Sequence, residues 1–364
     1  MRRLLHALLL ALPALAFAQG ALTPPSAPAP TMRTLDQIEP RIPLGAVGGS
    51  TAPIKIQAPG SYVLLGNLSC ENGYAIIIAA SNVTLDLNGF TVSAADIEGA
   101  NAISGSASAT NITIRNGHIA PAASAGSLHF GIYLSGTNSL VEDMSVTGTR
   151  GCGILLDRSA GKTGSVRRCV VSSGTTGIEA PLVSDSHAVT TSHAIRATEA
   201  NHCIGESAEG TGLTATTAVA CTGTSTSGAG ISASIASHCQ GFSTSGTGLA
   251  TTSASDALDT GTAENCLGTS SSGIGLQTGT AINCTGRSVS NNGLQANLAT
   301  NCRGLTTSNA AIALWISGTA TGCRGSNTGA TGTGAQSALT AAIAVACTAE
   351  TGTIYASSRQ LGTP

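Results

Sequence analysis

From residue 200 onward the chain repeats about every 18 residues around a column of cysteines, and this period constrains the fold more than any other feature. Cys203, Cys221 and Cys239 are 18 apart, as are Cys266, Cys284 and Cys302, with Cys323 following at 21. Each of the seven has Ala three residues before it (Ala200, Ala218, Ala236, Ala263, Ala281, Ala299, Ala320). Each also has Gly two residues after it (Gly205, Gly223, Gly241, Gly268, Gly286, Gly304, Gly325). A second marker, Gly or Ala followed by Ile or Leu, carries the repeat further back. It falls at Gly131-Ile132, Gly153-Ile154 and Gly177-Ile178, spaced 22 and 24, then at Ala194-Ile195, Gly212-Leu213, Gly230-Ile231 and Gly248-Leu249, spaced 17, 18 and 18. After a gap of 27 it returns at Gly275-Leu276, Gly293-Leu294 and Ala311-Ile312. A unit this short cannot bury its own apolar face, so successive coils must stack and share one interior.

Stacked coils pair as parallel strands about 4.8 Å apart and bring equivalent positions into columns. The coils between 131 and 178 have room for three short strands each and the 18-residue coils for two. Their interior positions are the Cys, the Ala before it and the Leu or Ile ten residues on, and the Ser/Thr/Gly stretch after each Cys reads as a polar turn. Aromatic residues are 2% of the chain, which suits a thin core of Ala, Val, Ile, Leu and Cys rather than a thick globular one. A left-handed helix of hexapeptides would need an apolar residue every six positions, whereas these columns are separated by three and ten. With the handedness rule for parallel crossovers, the sequence predicts an all-β, right-handed parallel β-helix (β-solenoid). Wide coils are expected over 60–180 and narrow Cys-ladder coils over 181–350, followed by a C-terminal tail at 351–364.

The N-terminus reads as a cleavable export signal over 1–18. Arg2 and Arg3 precede an apolar run over 4–17, and Ala16-Phe17-Ala18 before Gln19 is a small-residue cleavage site. His6 and Pro13 interrupt the run, which is short for a membrane span. A Pro/Ala-rich spacer follows over 19–33 and a cap over 34–59. No second apolar segment of spanning length follows, so the expected mature chain has no membrane span and is secreted, either extracellular or periplasmic. A net charge of -2 with no Lys/Arg run lacks the electrostatic footprint of a nucleic-acid binder.

Several segments carry a resemblance. TLDQIEPRIPL, APGSYVLLGNL, SNVTLDLNGFTV and NITIRNGHI, between Thr34 and Ile119, are similar to the secreted bacterial right-handed parallel β-helix repeat proteins of the pectate-lyase-like (pectin lyase fold) superfamily. The resemblance implies that TLDQIEPRIPL caps the open end of the helix. It is specific for fold and weak for activity, since the superfamily holds lyases, hydrolases, epimerases and adhesins.

Catalysis on such a scaffold needs clustered groups: aspartates with Ca²⁺ and an arginine base for elimination, or paired carboxylates for hydrolysis. The chain has eight aspartates, no two adjacent, and no polygalacturonase-like motif. No residue is therefore assigned as catalytic, cofactor-binding or metal-binding, and Ca²⁺ enters only under a lyase reading. The one charge-rich stretch runs from 142 to 209 and holds Glu142, Asp143, Asp157, Arg158, Arg167, Arg168, Glu179, His187, His193, Arg196 and Glu209. Coil alignment sets Glu142 over Arg167, Asp143 over Arg168 and Glu179 over Arg196, which reads first as cross-strand charge pairing and second as a ligand groove. The cysteines carry three readings. In-register Cβ atoms about 4.8 Å apart lie beyond disulfide range, which favours a column of buried free thiols; partial disulfide pairing and a soft-metal site are the others. Cys70 and Cys152 stand outside the column. The 27-residue interval between Cys239 and Cys266 implies an outward loop near 251–259, with Asp256 and Asp259. Thr and Ser alternate too irregularly for an ice-binding array. Two functional readings result: a non-catalytic binding or structural solenoid touching polysaccharide or a cell surface, and a polysaccharide lyase or glycoside hydrolase with a divergent site on the 142–209 stretch.

Overall fold

The computed structural model describes residues 41–45, 48–50, 52–71, 73–95, 99–122, 128–251, 261–329 and 337–360. The leader, the spacer, 34–40 of the expected cap and the insertion at 252–260 lie outside the described residues. Everything from Ile42 onward that is described belongs to one parallel β-solenoid, with no helix. Strands pair only with their counterparts one coil away and always in parallel, so three columns of strands run down the stack. These are called faces A, B and C in the order the chain meets them.

Ile42–Leu44, Gly48–Ser50 and Ile54–Ile56 already pair with the next coil on faces A, B and C, so the solenoid begins inside the segment expected as a cap. It also extends into the expected tail, where Thr353–Gln360 pairs with Ser337–Val345. Coil length is legible in the register. Face A partners advance 27 residues from Ile114 to Val141, 25 to Val166, then 17 to Val183, and settle at 18 from Ala200 to Ala218 and Ala236. Strand runs are longer than the sequence suggested, because the chain turns corners without breaking its ladder. Ser139–Leu156 covers all three faces of one wide coil in a single run. Most narrow coils have two runs, as their length implied, but one of them, such as Leu213–Val219, bends to serve both C and A; the coils from Leu249 and from Leu314 have three.

The interior tapers. On face A the inner column reads Leu85, Ile114, Val141, Val166 and Val183, and is alanine from Ala200 to Ala344. Face B's inner column passes from Ile119, Val146 and Val171 through Ala188 to glycine at Gly205, and stays glycine to Gly325. Face C keeps a large residue throughout, from Ile103, Ile132 and Ile154 down to Leu294, Leu314 and Leu339. One sequence marker is corrected here. Leu294 pairs with Leu314, so the repeat position is Ala313-Leu314 rather than Ala311-Ile312.

The glycines have a common cause. A Cβ on Gly223 or Gly286 would sit well under 3.0 Å from the carbonyl oxygen of Gly230 or Gly293. Those residues are the marker glycines of face C, and a Cβ on them would in turn meet backbone of the following coil. In the narrow half, faces B and C therefore touch backbone to backbone, and the main apolar side chains that remain inside are Ala from A, Leu or Ile from C, and the cysteine at the corner between A and B.

That corner needs a left-handed residue immediately before the cysteine, and His202, His238, Asn265, Asn283 and Asn301 supply it with φ of 53–56°. Asparagine suits this conformation best among non-glycine residues. The cysteine column is longer than the seven of the repeat motif. Cys169 and Cys347 share it, and Ser186 fills the place between Cys169 and Cys203. Cys169 escapes the motif because Val166 and Val171 flank it, Cys347 because Ala349 replaces the glycine. Most of the thiols lie within reach of two carbonyls, as Cys221 does of Val219 (3.2 Å) and Ala200 (3.4 Å), while Cys266 and Cys302 donate to one each. Burial pushes the Cys169 thiol up to about 12, so it stays protonated at neutral pH.

A second interior ladder closes the turn from B to C. Ser225, Ser270 and Ser288, four residues after their cysteines, are buried. Ser270 Oγ accepts the amide of Gly273 (2.9 Å), and Ser288 Oγ donates to the carbonyl of that same Gly273 one coil back (2.7 Å). The stretch read as a polar turn thus also holds buried hydroxyls, such as those of Ser225, Ser270 and Ser288. In the wide coils Asn82, Asn111 and Asn138 form an amide ladder at the start of face A, with links of 2.7 and 2.5 Å.

All eleven cysteines are free and buried. Unfolding the purified chain in guanidinium without reductant should titrate about eleven thiols, a value near zero being incompatible with the ladder. Gly286→Ala should lower stability by about 3 kcal/mol, the upper range for overpacking, because the obstructing atoms are backbone. Denaturant unfolding beside the surface control Ser290→Ala measures it.

Candidate functional site

The charge-rich stretch forms its in-register pairs, but on three faces rather than one. Glu142 and Arg167 are partners on the outer side of face A, and the αL corner residues Asp143 and Arg168 lie next to them. Glu142 is 7% exposed and takes hydrogen bonds from Arg167 (2.7 Å) and Arg168 (2.8 Å). Arg168 also grips both oxygens of Asp143, at 2.7 and 2.8 Å. The hydrogen bonds from Arg168 hold the Asp143 carboxyl below the usual aspartate range. The charge column begins earlier than the stretch suggested. Arg115 pairs in register with Glu142 and binds Asp86 at 3.3 Å, so acid and base alternate from Asp86 to Arg167. The strand-period alternation in TLDLNG and TIRNG carried that signal.

Glu179 and Arg196 are partners on face C, 3.5 Å apart, with Arg158 at 3.6 Å on the other side of Glu179. His193 lies on the same face and hydrogen-bonds Ser192 Oγ at 2.8 Å. Burial, then the Arg196 charge, depress its pKa, so the ring is neutral at pH 7. Asp157 is a turn former: its Oδ1 accepts from the amide and hydroxyl of Ser159, at 2.9 and 2.7 Å. His187 pairs with Glu206 at 3.1 Å on face B, and Glu209 is exposed. The single 142–209 groove is thus corrected to separate clusters, because consecutive coil positions fall on different sides of the stack.

A further concavity lies elsewhere. A groove of about 540 Å³ runs along outer face A beneath the turn at 157–163. Its floor is the register column Leu140, Ser165, Leu182 and Glu199, with Pro181 and Lys162 at its sides. It exists because the 25-residue coil carries a projecting turn and the 17-residue coil after it does not, which leaves a ledge. Lys162 is anchored there, donating to the Ser135 carbonyl at 2.9 Å. None of the charged residues singled out from sequence lines this groove. The signal that locates it is the sudden shortening of the repeat.

Among the described residues no three His, Cys, Asp or Glu side chains are grouped to hold a metal ion, and no helix is long and apolar enough to cross a membrane. The chain matches no family model, no curated protein and no solved structure.

Arg168→Met should return the Asp143 carboxyl upward toward its ordinary value, read by carbonyl NMR during acid titration. The sign follows from the lowered pKa. The pairing contributes fully at neutral pH and is lost as pH falls through the folded value, so the variant should show a weaker acid-side loss of stability than wild type. Both groups are nearly half exposed, so the effect is small and decreases with salt.

Proposed function

We propose that the chain is an exported, non-catalytic binding solenoid of the right-handed pectate-lyase-like type, which holds a polysaccharide or cell-surface glycan against its outer faces. The observation that carries this reading is the lining of the ledge groove, where hydroxyl, amide and short apolar groups outnumber the single Lys and single Glu. Such a lining suits a neutral, hydroxyl-rich ligand held by many weak contacts. The charge clusters support it from the other side. Glu142, Asp143 and Glu179 face arginines at contact distance, an arrangement that spends their charge on the ladder instead of presenting paired carboxylates to a glycosidic bond. Export rests on the leader sequence, and the superfamily assignment on the N-terminal coil motifs.

A carbohydrate array on the mature chain, run beside a turnover screen on polyuronates and neutral glycans with and without Ca²⁺, tests the reading. Binding without turnover, weakened at least tenfold by the groove variant Leu182→Arg, is the expected result. Sustained cleavage would favour a lyase or hydrolase in place of the binding role, and no binding to any glycan would remove it.

A further inference from the structure

The outer row of face C changes character along the stack. After the Glu179–Arg196 pair it carries no charged residue down to Tyr355. Its last members are Gln277, Gln295, Trp315, Thr340 and Tyr355, each the register partner of the next. Trp315 is the only tryptophan in a chain that is 2% aromatic. It sits between buried Leu314 and Ile316 on the outward side of its strand, where the preceding coils place Gln, Ala, Ser or Thr. Tyr355 is 46% exposed and borders a depression of about 250 Å³ with Thr340 and Ala356. Neither ring is needed for the taper of the core, which is complete on the inner side of the same strands.

We propose that this row is a rail for a neutral, extended polysaccharide lying along the solenoid axis, with Trp315 and Tyr355 as its stacking platforms; the proposal rests on the glycan-binding reading and adds to the face A groove a second surface and a ligand class. The chemistry follows from the residue types. The face of a pyranose ring presents C–H groups that pack on the negative face of an indole or phenol. Carboxamides such as Gln277 and Gln295 both donate to and accept from sugar hydroxyls. The two rings are two strand spacings apart, about 9.6 Å, so a ligand reaching both must extend across the Thr340 coil rather than bind as a single ring. A charge-free row selects against polyuronates, which the arginines elsewhere on the surface would otherwise attract.

Because Trp315 is unique, its emission reports this site alone. Titrating the mature chain with cellohexaose, mannohexaose and xylohexaose should shift the emission to the blue and reduce acrylamide quenching for at least one of them, with no response to oligogalacturonate. By calorimetry, Trp315→Ala and Tyr355→Ala should each weaken that ligand at least tenfold, Trp315→Tyr much less, with far-UV dichroism confirming that the variants fold. A glycan that wild type binds on the array without an emission change, and that Trp315→Ala binds equally well, overturns the rail while leaving the binding function standing. Absence of any glycan binding overturns both. An emission shift that depends on protein concentration without glycan, with dimers by sedimentation, assigns the row to a second copy of the chain and overturns the proposal.

Discussion

Backbone contact between faces B and C is the constraint on which the narrow half depends. Once the inner column of face B is glycine, the facing marker glycines can approach until carbonyl oxygens occupy the space a Cβ would need. The cross-section is then too small for branched side chains on face A, and alanine replaces valine there from Ala200 onward. Only face C retains leucine or isoleucine, and a single small thiol fills the corner. In this arrangement a cysteine acts as a compact apolar side chain whose weak donor is satisfied by a backbone carbonyl, which makes the column a packing element rather than a reactive one.

So thin an interior cannot leave backbone polar groups to water, and two ladders meet that requirement. Parallel pairing satisfies the strands, while the buried serines bridge the turn from one coil to the next by accepting an amide and donating to a carbonyl. The break in coil length at 251 shows the same logic. There Thr251 and Thr278 replace the usual alanine, and their hydroxyls bond each other and the Gly261 carbonyl, satisfying polar atoms next to the break. The left-handed corner before each cysteine completes the coil, and its recurrent asparagines and histidines are set by backbone conformation.

The outer surface records the taper. Where coils shorten abruptly after Val166, the wide turn overhangs the narrow coils and produces the groove. Charges concentrate on the wide half and its junction, where in-register acid and base offset one another across strands. Beyond the junction, face C becomes an uncharged row ending in aromatic rings. A polymer lying along the axis on face C would meet the members of that row in sequence, which is the geometric reason a solenoid suits an extended ligand.

Much of this was legible in the residues. The co-registered Ala, Cys and Gly columns determined the repeat, the parallel stacking, the interior positions and the pairs Glu142–Arg167, Asp143–Arg168 and Glu179–Arg196, because a solenoid converts sequence period directly into spatial contact. Cys169 and Cys347 were missed because their neighbours had drifted from the motif while the corner geometry had not, and Ala311-Ile312 was misplaced because an irregular coil shifts register without altering composition. The buried role of Ser225 and its equivalents was hidden for a related reason: a serine in a glycine-rich turn reads the same whether its hydroxyl points out or in. What only the tertiary structure decided was which side of the stack each residue occupies. Sequence spacing gives position along a coil, but the corners between faces set direction, and they put Glu142 and Glu179 on different faces, open a ledge where no charged motif stands, and align Trp315 with Tyr355.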